Sequence, residues 1–191
     1  MKRITFDIET EGPFSNGMLD VSKLEVTVVG IHDSETGELT GFYKADLPKL
    51  WPILERADIL VGYNSDHFDI PILNKYYAGD LTKIKSIDLL KEIKNVLGRR
   101  LKLDNLAGAT LGRNKTSDGL QAVKWWEQGL YEKVRDYCLA DVAITNELYE
   151  YAKKHGSLKY SDYDGVREIK LDTRLWEAPA EAAAITHTLP F

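Results

Sequence analysis

From Lys2 to Glu9 apolar and polar residues alternate with a period of two: Ile4, Phe6 and Ile8 face one way, Thr5, Asp7 and Glu9 the other. This is the pattern of a strand with one face in a core. A second strand is expected at Leu24 to His32, which is rich in β-branched residues. Ser34 to Gly37 reads as a turn, and Leu39 to Lys44 as a third, returning strand, so the chain opens with three antiparallel strands. The period then changes. A short helix is expected around Leu47 to Arg56, with Pro48 in its first turn and Pro52 placed awkwardly inside it. Ile59 to Tyr63 is a short apolar run suited to a buried strand. Phe68 to Tyr77 reads as a helix with Pro71 near its start and Asp66 as its cap. Ser86 to Leu97 reads as an amphipathic helix capped by Ser86, because Ile87, Leu90, Ile93 and Leu97 recur at helical spacing. Shorter helices follow at Leu103 to Leu111 and Gly119 to Gln128. The longest periodic segment, Tyr131 to His155, is ended by Gly156. Tyr160 to Leu171 has the signature of a hairpin about Asp164-Gly165, and residues 172 to 191 show no clear period. Strands first, then strand and helices, predict an α/β fold with a mixed sheet covered by helices.

The length of 191 residues favours one main domain, large enough to bury a core without disulfides or a structural metal. A lone cysteine, Cys138, excludes a disulfide framework within the chain, and its expected role is that of a small core residue. The first residues enter directly into a strand pattern, and no apolar run reaches the length of a signal peptide or a membrane span. A cytoplasmic protein without a membrane partner is therefore expected. A net charge of −5 argues against a protein that coats nucleic acid through positive charge alone. Between Lys83 and Lys102, however, seven basic residues face two acids. Two readings of that stretch stand: a solvated helix face with a basic turn, or a track for backbone phosphates.

The candidate chemistry lies in the acids. Asp7 and Glu9 share one face of the first strand, where two like charges are unfavourable unless a cation lies between them. Asp69 follows the apolar strand ending at Tyr63, a place suited either to chemistry or to a helix cap. Tyr137 and Asp141 are four apart on a helix and share a face that Ile144, Leu148 and Ala152 continue into the core. An Asp there is costly to bury unpaired, and a hard cation with oxygen ligands would offset that cost. Each acid also has a plain alternative: a polar strand edge, a cap, a surface Tyr–Asp pair.

Phe6-Asp7-Ile8-Glu9-Thr10, then Gly62-Tyr63-Asn64 with Phe68-Asp69-Ile70-Pro71, then Tyr137-Cys138-Leu139-Ala140-Asp141 stand in this order along the chain. In order and wording they resemble the three exonuclease motifs of the DEDD superfamily, tyrosine branch. They are similar to those of the proofreading domains of family B DNA polymerases and of stand-alone ribonuclease-H-like exonucleases. The chain lacks the length of a polymerase. The resemblance covers roughly residues 2 to 155. It implies a ribonuclease-H-like, five-stranded mixed sheet with helices on both faces over residues 1–155. Residues 156–191 would add a C-terminal hairpin and a tail, packed on that domain or partly loose.

It further implies a metal-dependent 3′→5′ exonuclease acting on a single-stranded or frayed 3′ end of DNA or RNA and releasing nucleoside monophosphates. Asp7, Glu9, Asp69 and Asp141 would hold two divalent cations, Mg²⁺ or Mn²⁺. Two-cation sites have spacings of about 3.5–4 Å and serve both the attacking and the leaving oxygen. Tyr137 would orient the attacking water, since a Tyr near pKa 10 is a poor base at neutral pH. Asn64, Phe68, Phe14 and Lys115 are candidate substrate contacts, the two Phe by stacking a terminal base. His67 is expected to be a bystander, and Trp125 and Trp126 to pack their helix. The competing functions are a non-catalytic nucleic-acid-binding or interaction module on the same fold, and an endonuclease with the same chemistry.

Overall fold

The computed structural model describes residues 1–12, 14–15, 18–19, 21–113 and 119–178, with side chains left out at 14–21 and 119–120. Five strands form the central sheet: β1 (Arg3–Glu11), β4 (Glu25–Asp33), β5 (Leu39–Tyr43), β6 (Ile59–Gly62) and β7 (Lys85–Asp88), in the order β5-β4-β1-β6-β7. The first three are antiparallel, and β6 and β7 run parallel to β1. Two-residue strands β2 (Phe14–Ser15) and β3 (Met18–Leu19) pair with each other, and β8 (Ser157–Asp162) with β9 (Gly165–Lys170) forms the C-terminal hairpin. The helices are α1 (Leu47–Leu54), α2 (Asp69–Leu73), α3 (Leu89–Leu97), α4 (Leu103–Leu106), which runs into a π-helical turn at Ala107–Leu111, α5 (Gly119–Glu127) and α6 (Tyr131–His155).

The alternation in β1 divides the core between two layers. Ile4, Phe6 and Ile8 pack with α1 and α2 through Leu47, Leu50, Leu54, Ile70 and Leu73. In the neighbouring strand Ile59 and Val61 face the opposite layer, where they meet Leu89 and Ile93 of α3 and Ile144, Leu148 and Ala152 of α6. Asp7, Glu9 and Thr5 share that second face with α6, as the Thr5 hydroxyl donating to Asn146 at 3.1 Å shows.

Two glycines let α6 lie close against the sheet. Gly30 of β4 and Gly41 of β5 are paired. A Cβ at Gly30 would come within 3.0 Å of Cys138 Sγ and of Val142 Cγ2, and one at Gly41 within 2.7 Å of the Arg135 side chain. The far end of α6 is fixed by Arg3, whose guanidinium lies 4.5 Å from the Tyr149 ring centre and pairs with Glu150. Tyr149 stacks on buried Trp176 at 5.3 Å and donates to Glu177 at 2.9 Å. The C-terminal segment through residue 178 thus packs on this helix, while 179–191 lie outside the described residues.

The expected bounds of α6 and its glycine terminator agree with the structure; Gly156 adopts the left-handed conformation that ends helices. The expected helix from Ser86 is corrected. Lys85–Asp88 is the fifth strand, Ile87 pairs beside Val61, and Asp88, not Ser86, caps α3 by accepting from Leu90 and Lys91 N–H at 3.0 and 3.3 Å. Asp66 is not a cap either: α2 starts at Asp69 without a side-chain cap, and Asp66 pairs with Lys91 at 2.7 Å. The hairpin starts three residues earlier than expected and turns on Tyr163-Asp164, with Gly165 already paired to Asp162. Among the described residues no helix is long and apolar enough to cross a membrane.

Candidate metal centre

β1 delivers Asp7 and Glu9 to the face crossed by α6, and α6 delivers Tyr137 and Asp141 from successive turns. One carboxylate oxygen from each of Asp7, Glu9 and Asp141 lies within 4.8 Å of the others. Glu9 stands where the β1–β4 register slips, a bulge that redirects side chains at a sheet edge. Asp69 enters from the opposite layer at the first residue of α2. It is buried, and its Oδ1 accepts the Ile8 N–H at 3.1 Å, so it is fixed to the peptide between the two β1 acids.

Desolvation dominates the electrostatics. Burial, followed by the charges of Asp69, Glu9 and Asp141, holds the Asp7 carboxyl well above the ordinary carboxylate range. Burial and then Asp141 and Asp69 do the same to Glu9. Burial pushes Asp69 up to about 7, against two backbone N–H donors that lower it. Asp141 rises to about 6 by burial, moderated by the hydrogen bond that the Tyr137 hydroxyl donates to it. Among the described residues no Lys or Arg pairs with any of the four. Buried charge of one sign, with oxygen donors converging from three elements, fits hard divalent cations such as Mg²⁺ or Mn²⁺.

Tyr137 packs edge-on against Trp125 at 6.2 Å, and burial raises its ionisation above the ordinary value of 10. The hydroxyl therefore stays neutral and acts as a donor. Trp126 donates to Glu11 at the end of β1 at 2.9 Å, while Trp125 packs with Tyr137 and the Val28–Cys138 cluster. Asn64 lies beyond β6 in the left-handed region (φ 66°), and its side-chain oxygen accepts from Arg100 at 2.7 Å. Phe68 is half-buried against the α1–α2 layer, and His67 is exposed. The Phe14 side chain and all of Lys115 lie outside the described residues.

Three contributors escaped the sequence pattern. Cys138, between Tyr137 and Asp141, places Sγ 3.4 Å from the Asp7 carbonyl and 3.7 Å from its Oδ2. The charge of Asp104 acts on Asp141, and that of Asp88 on Asp69, each raising the carboxyl it faces. Asp88 also accepts the N–H of Asn64 at 2.8 Å and of Asp66 at 3.2 Å, tying the loop before Asp69 to the start of α3.

The family model of the RNase_H superfamily matches residues 4–153, which is most of the chain. The chain belongs to the RNase_H superfamily. The matched span contains all of the central sheet but its first residue, and every one of the four acids. Among solved structures, this RNase_H-superfamily chain is similar to the family B DNA polymerase from the hyperthermophilic archaeon Pyrobaculum calidifontis, with a TM-score of 0.61 and 20% identity. The match covers 80% of this chain and 24% of the polymerase, so the likeness is one of fold over about a quarter of that protein. A search of curated proteins finds no match. The ribonuclease-H-like fold, with its five-stranded mixed sheet, is that of the superfamily.

Proposed function

We propose that the chain is a metal-dependent 3′→5′ exonuclease of the tyrosine branch of the DEDD nucleases, hydrolysing the terminal phosphodiester bond and releasing nucleoside monophosphates. The observation that carries this reading is the meeting of Asp7, Glu9 and Asp141 within 4.8 Å, from two elements more than a hundred residues apart in sequence. Asp69 stands behind them, and Tyr137 is hydrogen-bonded to the third acid. Membership of the RNase_H superfamily supports nuclease chemistry on this fold.

Asp7, Glu9, Asp69 and Asp141 would hold two divalent cations. When bound, the pair supplies a water acidic enough to attack at neutral pH and charge stabilisation for the departing 3′ oxygen. The chain's own residues do the positioning. The bulge after Glu9 and the Asp69–Ile8 bond fix the β1 acids. Tyr137 orients the attacking water with a neutral hydroxyl, as a directed donor rather than a base.

The test is a 5′-labelled single strand incubated with Mg²⁺ or Mn²⁺ and sampled over time. A ladder shortening from the 3′ end is expected, and it is lost in Asp7→Ala and Asp141→Ala. A folded, metal-loaded protein that leaves the strand intact refutes the proposal. Cleavage of a closed circular single strand would replace the exonuclease with an endonuclease.

A further inference from the structure

The basic stretch that the sequence left with two readings lies along a groove. Three depressions adjoin one another. The first, of about 430 Å³, is lined by Arg100, Lys102 and Asp104. The second, of about 320 Å³, shares Arg100 and adds His67, Lys91 and Lys94. The third, of about 570 Å³, shares Lys91 and continues to Lys83 and Lys85. The groove borders the loop that leads to Asp69: Arg100 donates to the Asn64 side-chain oxygen at 2.7 Å, Asp88 accepts the N–H of Asn64 and of Asp66, and Ile70 lines the third depression.

Its acids are largely spent. Asp66 is paired with Lys91, and Asp88 accepts four backbone N–H groups. Among the described residues Lys83, Lys94 and Lys102 are exposed and make no ion pair or side-chain hydrogen bond. Lys94 and Lys102, two exposed cations along one path with neither an ion pair nor a side-chain hydrogen bond, in a chain of net charge −5, are not explained by folding.

We infer that this groove carries the backbone of a single nucleic-acid strand leading away from the acid centre, with Lys94 and Lys102 as phosphate contacts. The inference rests on the proposed nuclease only for the fate of the strand's end; binding along the groove is independent of turnover. An acidic peptide is the poorer occupant, because the groove adjoins the Asn64–Asp69 loop on a fold whose superfamily acts on nucleic acid.

The experiment is fluorescence anisotropy of labelled oligothymidylates of 4 and 16 nucleotides in EDTA, with no hydrolysis required. Lys94→Gln/Lys102→Gln is expected to weaken the 16-mer at least tenfold and the 4-mer far less. It should also lower the slope of log affinity against log salt by about 1.4, from about 0.7 per cation on a single strand. Both lysines are exposed, so the fold is preserved; Lys49→Gln/Lys154→Gln, on α1 and at the end of α6, serves as the charge-matched control. Wild-type affinity and slope in the double variant overturn the inference, as does equal competition by polyglutamate. Loss of 16-mer binding in a protein with no nuclease activity keeps the groove and rejects the function. Nuclease activity with unchanged 16-mer binding does the reverse.

Discussion

Asp69→Asn separates the cost of the centre's charge from its purpose. Burial moves the Asp69 carboxyl from 3.8 to about 7. At about 1.4 kcal/mol per tenfold change in a proton equilibrium, that displacement is a penalty of about 4 kcal/mol once the group ionises. The amide is neutral, close to the same shape, and retains an oxygen for the Ile8 N–H. Exchanging a charged acceptor for a neutral one loses about 1 kcal/mol. The net expectation in EDTA at pH 8 is a gain on the order of 3 kcal/mol. For a chain of this size, about 2–4 °C of melting temperature accompanies each kcal/mol, so the midpoint should rise by about 6–12 °C. At pH 4 the wild-type acid is already protonated, and the gain should nearly vanish. The same variant should lose most of the thermal shift that Mn²⁺ gives the wild type and should be inactive on the 5′-labelled strand. Melting curves at the two pH values, with and without Mn²⁺, decide the matter. A variant less stable than wild type at pH 8 in EDTA, or equally stabilised at both pH values, would refute the buried-charge account of the site.

Other expectations follow from the same geometry. Because Asp141 and Asp69 are held at about 6 and about 7, the folded chain binds more protons than the unfolded one above pH 3.8. These two acids therefore stabilise the metal-free fold in acid, a contribution lost as pH rises through 6 and 7, while Mn²⁺ affinity from calorimetric titration rises over the same range. Tyr137→Phe removes the donor to Asp141 and the group that aims the water; kcat should fall on the order of 10- to 100-fold with little change in KM, by steady-state kinetics on the labelled strand. Asp88→Ala deletes the α3 cap and leaves the Asn64 and Asp66 N–H groups without their acceptor, an expected loss of about 2–4 kcal/mol in urea unfolding. Asp88→Asn should recover part of it.

The features legible in the sequence were those with short-range signatures. The period of two in β1 separated Asp7 and Glu9 from the core-facing Ile4, Phe6 and Ile8, and the long period of α6 placed Tyr137 and Asp141 on one face. Strand β7 was misread because Ile87 falls at helical spacing from Leu90, so a strand and the helix after it form one apolar series. Four residues of parallel strand carry too little alternation to oppose that. Likewise Cys138 beside Asp7 and the Asp104 charge acting on Asp141 are meetings between distant elements, for which no local pattern exists. The groove was visible as an excess of charge, but only the folded chain puts Arg100 and Lys91 along one path.

The bare patch made by Gly30 and Gly41 acts as a gauge. With no side chain on either strand at that point, the distance from helix to sheet is set by backbone thickness and by Cys138 and Arg135 resting on it. The span between the carboxylates of residues 7 and 141 inherits that thickness. Two missing methyl groups, on strands that carry none of the four acids, thus set how near the helix carboxylate comes to those of the first strand.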